Sequence, residues 1–195
     1  MSTTYTWIGW NRQKKLYDAI VVAAVVLYLA LFILLGKLIP QLGEGLSDVQ
    51  LLIRALGTAG IILLHVVLSI GPLARLDRRL LPLLYNRRHL GVLTFLVSFA
   101  HAALSIVWYH GFGDVNPFVS LLTANTNYLS LTQFPFETLG VVALLILFIM
   151  AATSHDFWLR NLSPRVWKSL HMMVYLAYAL LILHVALGVL QQERS

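Results

Sequence analysis

Five stretches of this chain, residues 17–39, 49–71, 89–110, 137–154 and 166–190, have interiors free of Asp, Glu, Lys and Arg, apart from Arg54 near the start of the second. At about 1.5 Å of rise per residue, each stretch wound as an α-helix crosses most or all of the roughly 30 Å hydrocarbon layer of a bilayer. Continuous apolar runs of this length are membrane-helix signals. The expectation is an all-α integral membrane protein, a single domain over residues 1–195, built as a bundle of five transmembrane helices. The first helix is expected to end at Pro40 and the second at Pro72. Composition agrees: 59% of residues are hydrophobic and only 11% charged, with a mean hydropathy of +0.79. Soluble domains carry about a quarter charged residues.

The basic residues set the orientation. Arg12, Lys14 and Lys15, then Arg75, Arg78, Arg79, Arg87 and Arg88, then Arg160, Arg165 and Lys168 fall on one side; Lys37, Arg54 and Arg194 fall on the other. Basic flanks stay inside. This predicts a multi-pass protein of the bacterial inner membrane, with a cytoplasmic N-terminus and an outer C-terminus. The net charge of +6 is therefore a topology signal and not a nucleic-acid patch. The first helix is too long for a cleaved signal and reads as a retained anchor. Trp7, Trp10, Trp108 and Trp167 fall at the expected interfaces. Residues 111–136 form the longest loop, nearly uncharged and half apolar. It is expected to fold back over the outer end as a short surface helix. The chain has no cysteine, which excludes disulfides, thiolate metal sites, covalent c-type haem and an iron–sulfur cluster held by this chain alone.

Seven histidines remain to be explained. His89, His110 and His155 stand at helix ends, where water reaches them. His65, His101, His171 and His184 are deep, and an ionisable group within a bilayer is a functional hypothesis by default. Depth sorts them into an inner pair, His65 with His171, and an outer pair, His101 with His184. The spacing from His171 to His184 is roughly 20 Å along a helix, which suits two haems stacked across a membrane. In an ideal helix these two side chains point roughly 140° apart, so each would face a different neighbouring helix.

Neutral imidazole is a good ligand for haem iron, and iron satisfies the lone pair that lipid cannot. The reading is a bundle around b-type haem, two groups or one, with His65, His101, His171 and His184 as axial ligands. Arg54, Arg75 and Arg88 are candidate contacts for haem propionates or for a flavin phosphate, and anionic lipid is the other partner for the arginine-rich loop. Gly57, Gly60, Ser69, Gly71, Ser98 and Ala102 would let helices or a ring approach closely. The rival readings are a proton or metal pathway through the same histidines, and an anchor subunit with a structural haem. Proton paths usually include buried carboxylates, and none lies at depth here.

Four segments resemble the ferric-reductase-like transmembrane family, and within it the haem-binding membrane subunits of bacterial methionine sulfoxide reductase systems. They are GPLARL (71–76), RRHLGVLTFLVSFAH (87–101), TLGVVALLILFIMAATS (138–154) and WKSLHMMVYLAYALLILH (167–184). The resemblance implies haem ligation by His101, His171 and His184. His65 has no counterpart there and rests on depth alone. The resemblance also implies an electron-transfer subunit of an oxidoreductase. Electrons would pass from a cytoplasmic-side quinol or reduced flavin (quinone or FMN as bound cofactor) through haem to an extracytoplasmic redox protein, a molybdoenzyme or a Rieske-type domain. The chain ends soon after its fifth stretch, which fits a further redox domain or a separate subunit outside. No nicotinamide or flavin domain is present, so the chain is not a self-sufficient reductase.

Overall fold

The computed structural model describes residues 11–43 and 45–192. Trp7, Trp10 and Arg194, placed above by sequence, lie outside them. Among the described residues there are helices and loops and no strand. Helix α1 (Arg12–Leu38) starts where the Asn11 side chain accepts the Lys14 N–H at 2.9 Å. A short α2 (Pro40–Gly43) leads to α3 (Asp48–Leu76), which opens on a capping box: Ser47 and Gln50 satisfy each other's backbone N–H groups. A 3₁₀ turn at Arg78–Leu80 connects to α4 (Leu81–His110). The long loop at residues 111–136 holds α5 (Pro117–Thr123), a short helix as expected there. Then follow α6 (Phe136–Ala152), α7 (Asp156–Asn161), α8 (Pro164–Met172) and α9 (Val174–Gln192).

Four segments are long and apolar enough to cross a membrane: α1, α3, residues 86–110 of α4, and α8 with α9 taken together. Helix α6 is a shorter apolar helix of 17 residues. The chain is thus a multi-pass membrane bundle. Its halves are α1–α3–α4 and α6–α9, joined where α4 meets α6. Leu56, Leu63 and Ile70 of α3 pack on Leu90 and Val97 of α4. Leu64 reaches across to Ile146, Leu147, Val174 and Ala177. Ile20, Leu27, Leu31 and Leu34 of α1 remain exposed, facing where lipid would lie.

Three boundaries differ from the sequence reading. Helix α3 continues through Pro72 to Leu76. The residue before a proline is restricted mainly by its Cβ, and Gly71 has none. Helix α4 begins at Leu81, not at residue 89, with Pro82 in its first turn, where no donor is needed. The fifth stretch is interrupted at Met173. There the N–H turns back to the Leu170 carbonyl at 3.2 Å, a tighter turn, before the α pattern resumes with Ala177 N–H on Met173. This break falls between His171 and His184, so the ideal-helix angle between them does not apply.

Candidate functional site

Each of the four deep histidines places Nδ1 against a backbone carbonyl. The distances are 2.9 Å from His101 to Ile53, 2.8 Å from His184 to Phe136, 3.0 Å from His171 to Trp167 and 2.7 Å from His65 to Ile61. A carbonyl only accepts, so Nδ1 carries the proton and Nε2 keeps its lone pair. That is the tautomer in which a histidine binds metal through Nε2, with its other nitrogen held by a second partner.

The four differ in what Nε2 meets. His65 Nε2 accepts the Tyr178 hydroxyl at 2.8 Å, and the two rings meet edge to face. His171 Nε2 lies 3.4 Å from Ser154 Oγ, but that hydroxyl has one proton and a closer acceptor, the Met150 carbonyl at 2.7 Å. Its lone pair is therefore essentially open. Trp167 stacks on the His171 ring with centroids 3.9 Å apart and fixes it from below. Among the described residues, no hydrogen bond is made at Nε2 of His101 or His184.

The seats of His101 and His184 are built alike. The His101 ring bonds the Ile53 carbonyl and passes over Gly57, one turn further along α3. The His184 ring bonds the Phe136 carbonyl and passes over Gly140, one turn further along α6. A Cβ at Gly57 would stand 3.0 Å from His101 Cε1, and one at Gly140 would stand 2.9 Å from His184 Cε1. Real Cβ atoms essentially never stand as close as the 2.9 Å at Gly140, and the 3.0 Å at Gly57 is tighter than nearly all such contacts, so a larger residue at either position would push the ring aside. Gly60 performs a related service, since its Cβ would meet Ser98 Oγ at 2.8 Å. The donor set, the shared tautomer and the glycine floors fit a porphyrin iron between α4 and α9.

The expected outer pair, His101 and His184, is thus seated in the same way, whereas His65 and His171 have different partners at Nε2. The depth argument took Gly71 as the inner end of the second helix. Because α3 runs to Leu76, His65 lies about 16 Å of rise short of that end, level with Tyr178. Tyr178 itself stands about 10 Å beyond His171. Among the arginines, Arg88 bonds Asp156 at 2.9 Å and the Ser154 carbonyl at 3.3 Å. Arg75 is exposed in the last turn of α3, and Arg54 is half-buried near the start of the same helix.

Sequence reasoning missed Asp18. It accepts from His89 Nδ1 at 2.9 Å across α1 and α4, and both side chains are mostly buried. The signal was an acid at the otherwise basic inner flank of the first apolar stretch. His110 bonds Ser120 of α5, and His155 caps α7, so these two serve helix ends. No group of three or more His, Cys, Asp or Glu that could hold a metal ion occurs among the described residues.

Residues 56–182 match the family described as ferric reductase like transmembrane component. Curated relatives from several bacteria bear the name protein-methionine-sulfoxide reductase heme-binding subunit MsrQ. That of Caulobacter vibrioides is 34% identical over 94% of this chain and 83% of its own length. That of Herminiimonas arsenicoxydans is 31% identical over 80% of this chain and 64% of its own, so the chain spans less than two thirds of it. That of Ralstonia nicotianae is 30% identical over 87% and 73%. No solved structure matches.

Proposed function

The chain belongs to the ferric reductase-like transmembrane family, and on that premise we propose that it is a b-type cytochrome subunit that carries electrons across the bacterial inner membrane. The donor is a quinol or reduced flavin on the cytoplasmic side, and the acceptor is a redox protein outside. The observation that carries the proposal is the matched pair of seats at His101 and His184, each ring held at Nδ1 by a carbonyl over a glycine. These two residues would hold one haem. His171, also open at Nε2, offers a ligand for a second, nearer the basic side. The sequence paired His65 with His171. In this reading His65 instead serves α3–α9 packing through Tyr178, because binding iron would break that bond.

Haem, when bound, supplies one-electron redox chemistry. The chain supplies the rest. The Ile53 and Phe136 carbonyls hold the imidazoles in the metal-binding tautomer and raise their basicity. Gly57 and Gly140 let the rings lie flat against α3 and α6. The apolar helices exclude water, which tunes the potential through burial. The orientation rests on the basic flanks, with the N-terminus inside.

A reduced-minus-oxidised spectrum with haem quantitation on the purified protein tests the reading. His184→Ala and His101→Ala are each expected to lose a haem, and His65→Ala to lose none. Wild-type protein without a Soret band would overturn the proposal and return the histidines to proton or metal transport. A haem lost with His65→Ala would restore the His65–His171 pair.

A further inference from the structure

Helix α5 is apolar on opposite sides. Leu121 is buried against the bundle, where α5 packs on α4 and α6. Phe118, Val119 and Leu122 cover an outward arc about 100° wide and are 64%, 50% and 52% exposed. The two hydroxyls of the helix are already engaged. Ser120 Oγ lies 3.0 Å from His110 Nδ1, and Thr123 Oγ donates to the Val119 carbonyl at 2.8 Å. The Asn116 side chain accepts the Phe118 N–H at 3.0 Å and caps the first turn. Asp114 is the one charged residue from 111 to 136. A helix without a polar side belongs in a protein core or a membrane, and α5 has the bundle on one side alone. The outward arc therefore needs an apolar neighbour.

We propose that α5 lies in the headgroup–hydrocarbon boundary of the leaflet away from the basic flank, with Phe118, Val119 and Leu122 seated among phospholipid acyl chains. The arc continues a surface that already faces lipid. Phe99 and Val107 of α4 are exposed, and Tyr109 and Phe112 follow at the end of that helix. Trp108 meets Phe112 edge to face, with ring centroids 6.3 Å apart. Aromatic residues gathered at one level mark the boundary between hydrocarbon and headgroups. Six residues separate His110 from Pro117, so α5 stays close to that level. The same chemistry argues against a protein as the neighbour. A protein interface carries about one hydrogen bond per 100–200 Å², and both hydroxyls of this helix are engaged within the chain. The helix also carries no charge with which to steer a partner. Lipid asks for neither.

The test is spin labelling of the full chain in phospholipid vesicles, which the absence of native cysteine allows. Nitroxides are attached singly at Phe118→Cys and Leu122→Cys. Phe99→Cys on the exposed face of α4 serves as the bilayer control, and exposed Asp114→Cys as the water control. Molecular oxygen concentrates in lipid, whereas a nickel chelate stays in water. The ratio of oxygen to nickel accessibility at Phe118 and Leu122 should fall between the two controls, at least about fivefold above Asp114. Ratios equal to that at Asp114 would overturn the inference and leave the arc to water or a soluble partner. Labels closed to both reagents would overturn it as well. Opening on dilution into excess lipid would then identify a second copy of this chain as the neighbour, and no change would identify a contact within the chain. Two positions on one arc keep the test decisive if either substitution disturbs the fold. The readout needs no haem, so it is decided separately from the electron-transfer reading.

Discussion

Gly140→Ala tests the histidine seat at its tightest point. The new methyl would start 2.9 Å from both Cε1 and Nδ1 of His184. Ordinary contact begins near 3.4 Å, so ring or helix must yield by about 0.5 Å. The ring cannot yield for nothing, because its Nδ1–H is bonded at 2.8 Å to the Phe136 carbonyl on the same face of α6. A shift of that size takes the bond to the edge of useful geometry. Overpacking costs about 1–3 kcal/mol, and a weakened hydrogen bond up to about 1.5. A combined loss of about 2 kcal/mol corresponds to roughly 30-fold weaker haem retention. The assay is haem titration into protein stripped of haem, followed at the Soret band. Gly57→Ala, 3.0 Å from His101 Cε1, should behave alike and slightly more mildly. Gly91→Ala is the control, because nothing lies within 4 Å of its added Cβ and alanine favours a helix. Equal haem affinity in Gly140→Ala and Gly91→Ala would refute the glycine-floor argument.

Tyr178→Phe removes the hydroxyl that holds His65 and should cost about 1 kcal/mol in thermal stability with the haem count unchanged. Tyr28→Phe breaks the 2.8 Å bond from α1 to Thr58 and should cost about 0.6 kcal/mol, the usual size of a hydrogen bond between membrane helices, in a reversible unfolding titration. Because the chain has no native cysteine, a single Arg79→Cys should be labelled by an impermeant maleimide only after the inner membrane is opened. Asp114→Cys should be labelled in intact spheroplasts, and the opposite pattern would invert the orientation. Arg88→Ala breaks a half-exposed ion pair and should change stability by less than about 1 kcal/mol.

The membrane character of the fold was legible because lipid imposes one rule on the backbone, and uncharged runs of helical length obey it. The histidines at 65, 101, 171 and 184 stood out in the sequence for the same reason, since imidazole has no cheap place in lipid. The end of the second stretch was misread because a proline was taken as a stop. Gly71, with no Cβ to clash, let α3 pass through Pro72 and moved the inner boundary outward by more than a turn. Met173 carries no breaker signature, so the tight turn between His171 and His184 was invisible. Gly140 and Asp18 were missed because their roles are relational. A glycine in an apolar helix acquires meaning only when a ring from another helix lies on it, and an interfacial acid only when it meets an imidazole.

The geometry separates two uses of histidine within one bundle. His101 and His184 are oriented by neutral carbonyls, each taken from one turn of a neighbouring helix whose next turn presents glycine. A carbonyl fixes the tautomer without adding a charge, so the imidazole stays a neutral donor, as a buried metal ligand must. His89 is oriented by a carboxylate at the rim of the bundle. That partner carries a charge, where the other two rings meet neutral carbonyls. The sequence cannot express this difference, because all three residues are histidines at the ends or middles of apolar helices. The partner at Nδ1 expresses it: carbonyls of α3 and α6 for His101 and His184, and the Asp18 carboxylate of α1 for His89.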